Sequence, residues 1–329
     1  MHILHQYNVK DALDETERGA ETAAVPHTID RRATARRPRV WLDVERWGNV
    51  AVAFSAIGFG LSPLLATRAF DSGVAPISAA FVRVSAVMLI MSPFARRAAR
   101  RGRQAWIVGG GGAISMLGFA GFFIALDRAP VAAVTVVYYT YPVVVLVLSA
   151  IVWRRRMHVW EAATCAAVIV GVALAVGPIS MSGVLIVALA PAFAAPIGWG
   201  MYLLILSGPA AAMPTLPKVF AGSCGGAAAL LPIVLVTSGW HIVPLTSGAI
   251  TSLALLTACT FAVPAVLVSW GAARSGERAT AMIGSAEFAV AVVIGWMFLG
   301  DDLSRLQVAG VALVLGAAII AARRRGHTR

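Results

Sequence analysis

The sequence predicts an all-α integral membrane protein, with ten transmembrane helices in two inverted five-helix repeats. Three observations carry this. The 329-residue chain is 59% hydrophobic and only 13% charged, whereas a soluble domain carries roughly a quarter charged residues. Long apolar runs follow one another, separated by short charged or Gly/Pro-rich breaks, and a helix crossing a bilayer needs about 20 apolar residues. A pattern that begins at Arg128 returns at Arg274. Lipid offers backbone groups no hydrogen-bond partner, so such runs are helices. The strands of a β-barrel would alternate in polarity, and these runs do not.

Residues 1–46 hold most of the acidic side chains, among them Asp11, Glu15, Glu21 and Asp30, and no long apolar run. That composition predicts a disordered cytoplasmic tail. The tail lacks the apolar stretch of a signal peptide, so the first span, 48–67, serves as the targeting signal. Span 75–95 carries Arg83. Span 104–126 includes Gly109–Gly112, which resembles a phosphate loop only superficially, since the Lys-Ser/Thr is missing. Span 130–153 carries Tyr138, Tyr139, Tyr141 and Pro142, and span 159–177 closes the first repeat, 47–178. The second repeat, 179–322, runs through 183–206, with Trp199 and Tyr202, and 216–237. In the latter Gly222 and Gly226 have a GxxxG spacing that lets helices approach. Spans 247–271, 279–299 and 304–322 complete it, and residues 323–329 form a basic cytoplasmic tail.

The net charge of +12 suggests nucleic acid until its placement is read. Breaks on one side hold Arg96, Arg97, Arg100, Arg101, Arg103, Arg154, Arg155, Arg156, Lys218, Arg274, Arg278 and the C-terminal arginines; the alternate breaks hold Arg68, Arg128 and Arg305. The positive-inside rule then places both termini in the cytoplasm. The surplus is a topology signal, and no nucleic-acid partner is expected. Arg31 to Arg39 adds a basic stretch that can meet anionic lipid headgroups. Cys165, Cys224 and Cys259 fall inside apolar runs without close spacing, so no disulfide framework, metal site or cofactor follows.

The repeat is seen by setting "RAPVAAVTVVYYTYPVVVLVLSAIVWRR" beside "RSGERATAMIGSAEFAVAVVIGWMFLGD". Each has a charged start, small residues, then a β-branched and aromatic run. The register pairs Tyr141 with Glu287 and Pro142 with Phe288. One further span follows each segment, which gives five per half. Five is odd, so the halves are inverted, a common transporter device that holds substrate between the repeats near the midplane.

The chain resembles the drug/metabolite transporter superfamily, specifically its EamA-type exporters. "AFVRVSAVMLIMSPF" looks like the second-helix pattern, an Arg in an apolar run closed by Pro. "FFIALDRAPVAAVTVVYYTYPVVVLVLSAIVW" looks like the third-to-fourth-helix signature. "SAEFAVAVVIGWMFLGDDLSRLQVAGVALVLGAAII" looks like the ninth-to-tenth. The resemblance covers about 48–322. Phe288 stands where the family has Pro after its Glu, and Asp301 where it has a terminal Glu. The resemblance implies ten helices, an exporting direction, small amphipathic metabolites such as amino acids as substrates, and a plasma membrane location, the inner membrane of a bacterium.

Only Arg83 and Glu287 are charged deep inside the spans. A central charge costs at least about 2.5–3.5 kcal/mol and is usually paired or functional. At a rise of 1.5 Å per residue each lies roughly 12 Å in, from opposite ends. Their depths allow pairing. Glu287 can brace Arg83, meet a substrate amine or a coupling proton, or line a wet cavity. Arg83 can meet a substrate carboxylate or brace the bundle. His158 and His241 fall at span edges or in loops, so a His relay is not expected. Tyr138 and Tyr141 share a helical face at i, i+3, with Tyr139 pointing elsewhere. Trp199 and Tyr202 share another. Tyr138, Tyr141, Trp199 and Tyr202 are the expected aromatic lining of a substrate site, with Arg83 and Glu287 as its charges. No HExxH, paired acid or Ser/Lys set is present, which argues against an intramembrane enzyme. A receptor or assembly subunit without transport is the remaining alternative.

Overall fold

The structure is a computed structural model that describes residues 39–126, 128–129, 131–154, 156–176, 187–239, 246–299 and 304–323. Nearly all of them are helical. Among the described residues nine helices are long and apolar enough to cross a membrane, and a bent pair, counted as one span, makes a tenth. We number the spans α1 (Val44–Asp71), α2 (Pro76–Ile90 with Ser92–Ala99, bent by 54°), α3 (Arg103–Ala125), α4 (Ala133–Trp153), α5 (Val159–Val176), α6 (Val187–Ser207), α7 (Thr215–Ser238), α8 (Ser247–Ser275), α9 (Glu277–Phe298) and α10 (Arg305–Arg323). The chain from Asp43 onward forms one compact unit. Helix begins at Arg39, inside the segment read as a tail. Residues 1–38 lie outside the described residues, as do Asp301 and the last basic residues.

Several spans are discontinuous, and the sequence says why. In α4 the helix stops at Tyr138 and restarts at Tyr141. Pro142 has no N–H for the Tyr138 carbonyl and its ring crowds that turn. In α9 the helix stops at Gly284 and restarts at Ala286. The hydroxyls beside the two breaks behave alike: Thr140 donates to the Val137 carbonyl at 2.7 Å and Ser285 to the Met282 carbonyl at 2.6 Å. The two spans that pair Pro142 with Phe288 thus break at matching places. In α8 the residues Ala258–Ala262 form a π-turn immediately before Pro264, a local widening that often marks a functional position.

The packing has a two-fold pattern. α3 packs on α6 and α7, α8 packs on α1 and α2, α2 pairs with α7, and α5 pairs with α10. Exchanging α1–α5 with α6–α10 leaves this pattern unchanged. Glycine makes the closest crossings. A Cβ on Gly112 would collide with the backbone of Gly222, and one on Gly225 with the backbone of Gly109. The glycine run of α3 is therefore a helix-crossing surface. Gly171 of α5 and Gly310 of α10 each face the other's carbonyl at similarly close range. Small residues of this kind let backbones approach where lipid gives no hydrophobic drive. The outer faces are apolar. Trp47, Trp106 and Trp153 are exposed at one common end of the bundle, Trp106 by 83%, which suits an interfacial belt.

Candidate functional site

The elements of both halves enclose a cavity of about 880 Å³, within the range of small-molecule sites. Its wall is aromatic: Phe59, Phe119, Phe122, Tyr138, Tyr139, Trp199, Tyr202, Phe261 and Phe288 all line it. The rings pack edge-to-face, for example Phe59 on Trp199 at 6.0 Å and Tyr139 on Phe288 at 5.0 Å. Such contacts hold the wall in fixed rotamers. The lining reaches the exposed Thr67, Phe70 and Pro76, where α1 leads into α2.

The two intramembrane charges of the sequence both face this space. Glu287 lies in the first turn of the restarted half of α9, where the N-terminal amides of a helix favour an anion. A Cβ on Gly60 of α1 would collide with Val290 and with the Glu287 carbonyl, so glycine there lets α1 lie close against the break of α9. Tyr138 lines the same space as the Glu287 carboxyl, whose Oε1 has no protein partner. Arg83 is held differently. Its Nη2 donates to the Thr260 carbonyl at 3.0 Å, and its guanidinium sits 5.2 Å from the Phe261 ring centre. That carbonyl is available because Pro264, four residues on, has no N–H to offer it. The Arg83 Nε is without a protein partner. Arg83 thus braces α2 against the π-turn of α8 rather than pairing with Glu287.

Trp199, Tyr202 and Tyr138 line the cavity as expected; Tyr141 does not. It is buried and borders a separate crevice of about 10 Å³ with Glu287, Trp199 and Thr280, room for about one water. The break at Tyr139–Thr140 removes the continuous helix on which the shared face of 138 and 141 depended. The same break turns Tyr139 into the cavity. The sequence reading also missed Ser115, whose buried Oγ is unpartnered, and the phenylalanines of α3. A Phe in an apolar run carries no polar signal; the i, i+3 spacing of Phe119 and Phe122 was the one clue.

The far end of the cavity is closed. Arg278 at the start of α9 pairs with Glu161 of α5 at 2.7 Å, both being nearly inaccessible (7% and 2%). Its Nε donates to Ser149 Oγ at 2.9 Å, and Ser149 donates to Glu277 Oε1 at 2.7 Å. Arg278 Nη1 also donates to the Arg156 carbonyl, and Glu161 accepts from the His158 N–H at 3.0 Å. Nearby, Gly48 of α1 is pressed against Arg274 and Ser275 of α8. Among the described residues no group of three or more His, Cys, Asp or Glu side chains could hold a metal ion.

The profile of the EamA-like transporter family matches residues 46–177 and again residues 182–323. The chain belongs to the EamA-like transporter family. Two copies of one domain account for the two-fold packing, and membership makes this EamA-like chain a multi-pass secondary transporter of a small molecule, not an enzyme. A solved crystal structure of another protein superimposes with a TM-score of 0.68 at 22% identity, covering 83% of this chain and 96% of that one. The likeness concerns the fold. Comparison with curated proteins gives no significant match.

Proposed function

We propose that this EamA-like protein exports small amphipathic metabolites by alternating access between two inverted repeats, 47–178 and 179–322. The carrying observation is the cavity of about 880 Å³ with Glu287 in its wall and one carboxyl oxygen unpartnered. Aromatic rings take the apolar body of the solute, and Glu287 takes an amine or a coupling proton. Trp199 and Tyr202 from α6 and Tyr138 from α4 bring both repeats to the solute. Tyr141 supports them from behind through the crevice it shares with Glu287. Arg83 positions α2 and can turn its free Nε to a solute acceptor. Exchange of the two repeats' conformations would open the end sealed by Arg278 and Glu161 and close the end beside Phe70. By the positive-inside rule the open end is external and the sealed end cytoplasmic. The location expected is a bacterial plasma membrane.

Glu287→Gln keeps the shape and removes the charge. Purified variant and wild-type protein are reconstituted together with a panel of labelled amphipathic metabolites. The variant should fold and insert normally and lose most of its transport. Transport unchanged in rate and pH dependence would remove Glu287 from the mechanism.

A further inference from the structure

Lys218 is the cation that the transport reading has not used. The chain has two lysines, Lys10 and Lys218, against an otherwise all-arginine cationic set. The sequence reading counted Lys218 with the basic breaks, at the edge of span 216–237. The structure places it inside α7 with an exposure of 1%. The backbone N–H of Lys218 donates to the Pro214 carbonyl at 3.1 Å. Among the described residues its ammonium makes no hydrogen bond or ion pair. The charge that acts on it is a like one, Arg274 of α8, which stacks on Trp270 at 3.8 Å. A buried cation without a carboxylate is costly, so its burial at the sealed end needs a reason.

The two-fold packing supplies one. α2 opens on Pro76 and α7 on Thr215. The fourth helical residue of α2 is Ala79, which lines the cavity on its open side. The fourth helical residue of α7 is Lys218. α2 and α7 pair with each other and exchange under the two-fold pattern. Opening of the cavity at the other end would bring Lys218 to the place that Ala79 has now. We propose that Lys218 is the solute-recognising cation of the sealed mouth, exposed only when that mouth opens, and that it selects solutes bearing a carboxylate. This rests on the alternating-access reading above. A lysine suits the role because its ammonium is a compact charge on a flexible stem that can fold away. An anionic solute group meeting it would favour the open form by the difference in affinity between the two states. Arg274 adds to the field that draws such a solute in.

The test uses the full chain in phosphatidylcholine vesicles. Amines are methylated with formaldehyde and cyanoborohydride, and mass spectrometry follows Lys218 with Lys10 as the internal reference. Lys218 should react slowly in the wild type. It should react about tenfold faster in Arg278→Met, which removes the ion pair sealing that mouth. Glu161→Gln weakens the same pair and serves if Arg278→Met fails to fold. N-acetylphenylalanine should slow Lys218 methylation, and its uncharged amide should not. Lys218 that stays unreactive in every variant, in vesicles that still transport, would overturn the state-dependent exposure and leave the transporter reading standing. Equal protection by acid and amide, or no protection by N-acetylphenylalanine, succinate or benzoate, would overturn carboxylate selection. Protection by phosphatidylglycerol in the vesicles, without solute, would give the charge to lipid and overturn it as well.

Discussion

Arg278→Met should loosen the sealed end more than any other single change there. The arginine makes three recorded contacts at once: Glu161 at 2.7 Å, Ser149 at 2.9 Å and the Arg156 carbonyl at 3.2 Å. Methionine fills much of the volume and makes none of them. Breaking one side of a buried ion pair costs about 3–5 kcal/mol, because the partner is left charged and dry. Glu161 keeps the His158 N–H, which softens the loss, so about 3 kcal/mol is expected. Thermal stability in detergent, followed by the monomer peak on size exclusion, should fall by about 5 °C or more. The Glu161→Gln change should cost less after Arg278→Met than before it. The double-mutant cycle should return a coupling of about 2 kcal/mol. A melting temperature within a degree of wild type, together with zero coupling, would refute the view that this pair holds the end shut.

Three further outcomes follow from the same geometry. Gly310→Leu should abolish stable accumulation, costing about 3 kcal/mol or more, because its Cβ meets the Gly171 carbonyl, whereas Gly316→Ala, which meets nothing, should be silent; immunoblots of membranes read both. Phe261→Ala should remove the ring beneath the Arg83 guanidinium and cost about 1–3 kcal/mol of stability, measured as the shift in detergent melting. Reporter fusions after Arg103 and Arg156 should read cytoplasmic and one after Arg128 external; reversed signals would invert the direction of transport.

Some of this was legible in the residues alone. Hydropathy is a sum over some 20 residues, so local detail does not blur it, and the spans emerge at nearly the expected places. Arg83 and Glu287 stood out because a charge in an apolar run is rare, and both face the cavity. The register that pairs Pro142 with Phe288 lines up two spans that are broken alike, but the break at Ser285, which has no proline, was not expected from the residues. Tyr141 was misplaced because a face argument needs an unbroken helix. The alliance of Arg278 with Glu161 was hidden because charges at span ends look like topology signals. Lys218, at the edge of the expected span 216–237, was counted with the basic breaks because a cation at a span end looks like a topology signal; only packing shows it buried. The phenylalanine wall was invisible because a pocket-lining Phe and a lipid-facing Phe obey the same periodicity.

Solute counterflow in proteoliposomes tests the central claim most directly. Vesicles are loaded with an unlabelled amphipathic metabolite and diluted into a trace of the labelled one, and each member of the panel is tried in turn. An alternating-access carrier must exchange solute across its cavity one side at a time, so label should accumulate above equilibrium and then decay, and Glu287→Gln should flatten the overshoot. Label that merely equilibrates, at a rate indifferent to solute on the other side, would describe an open pore and contradict the account.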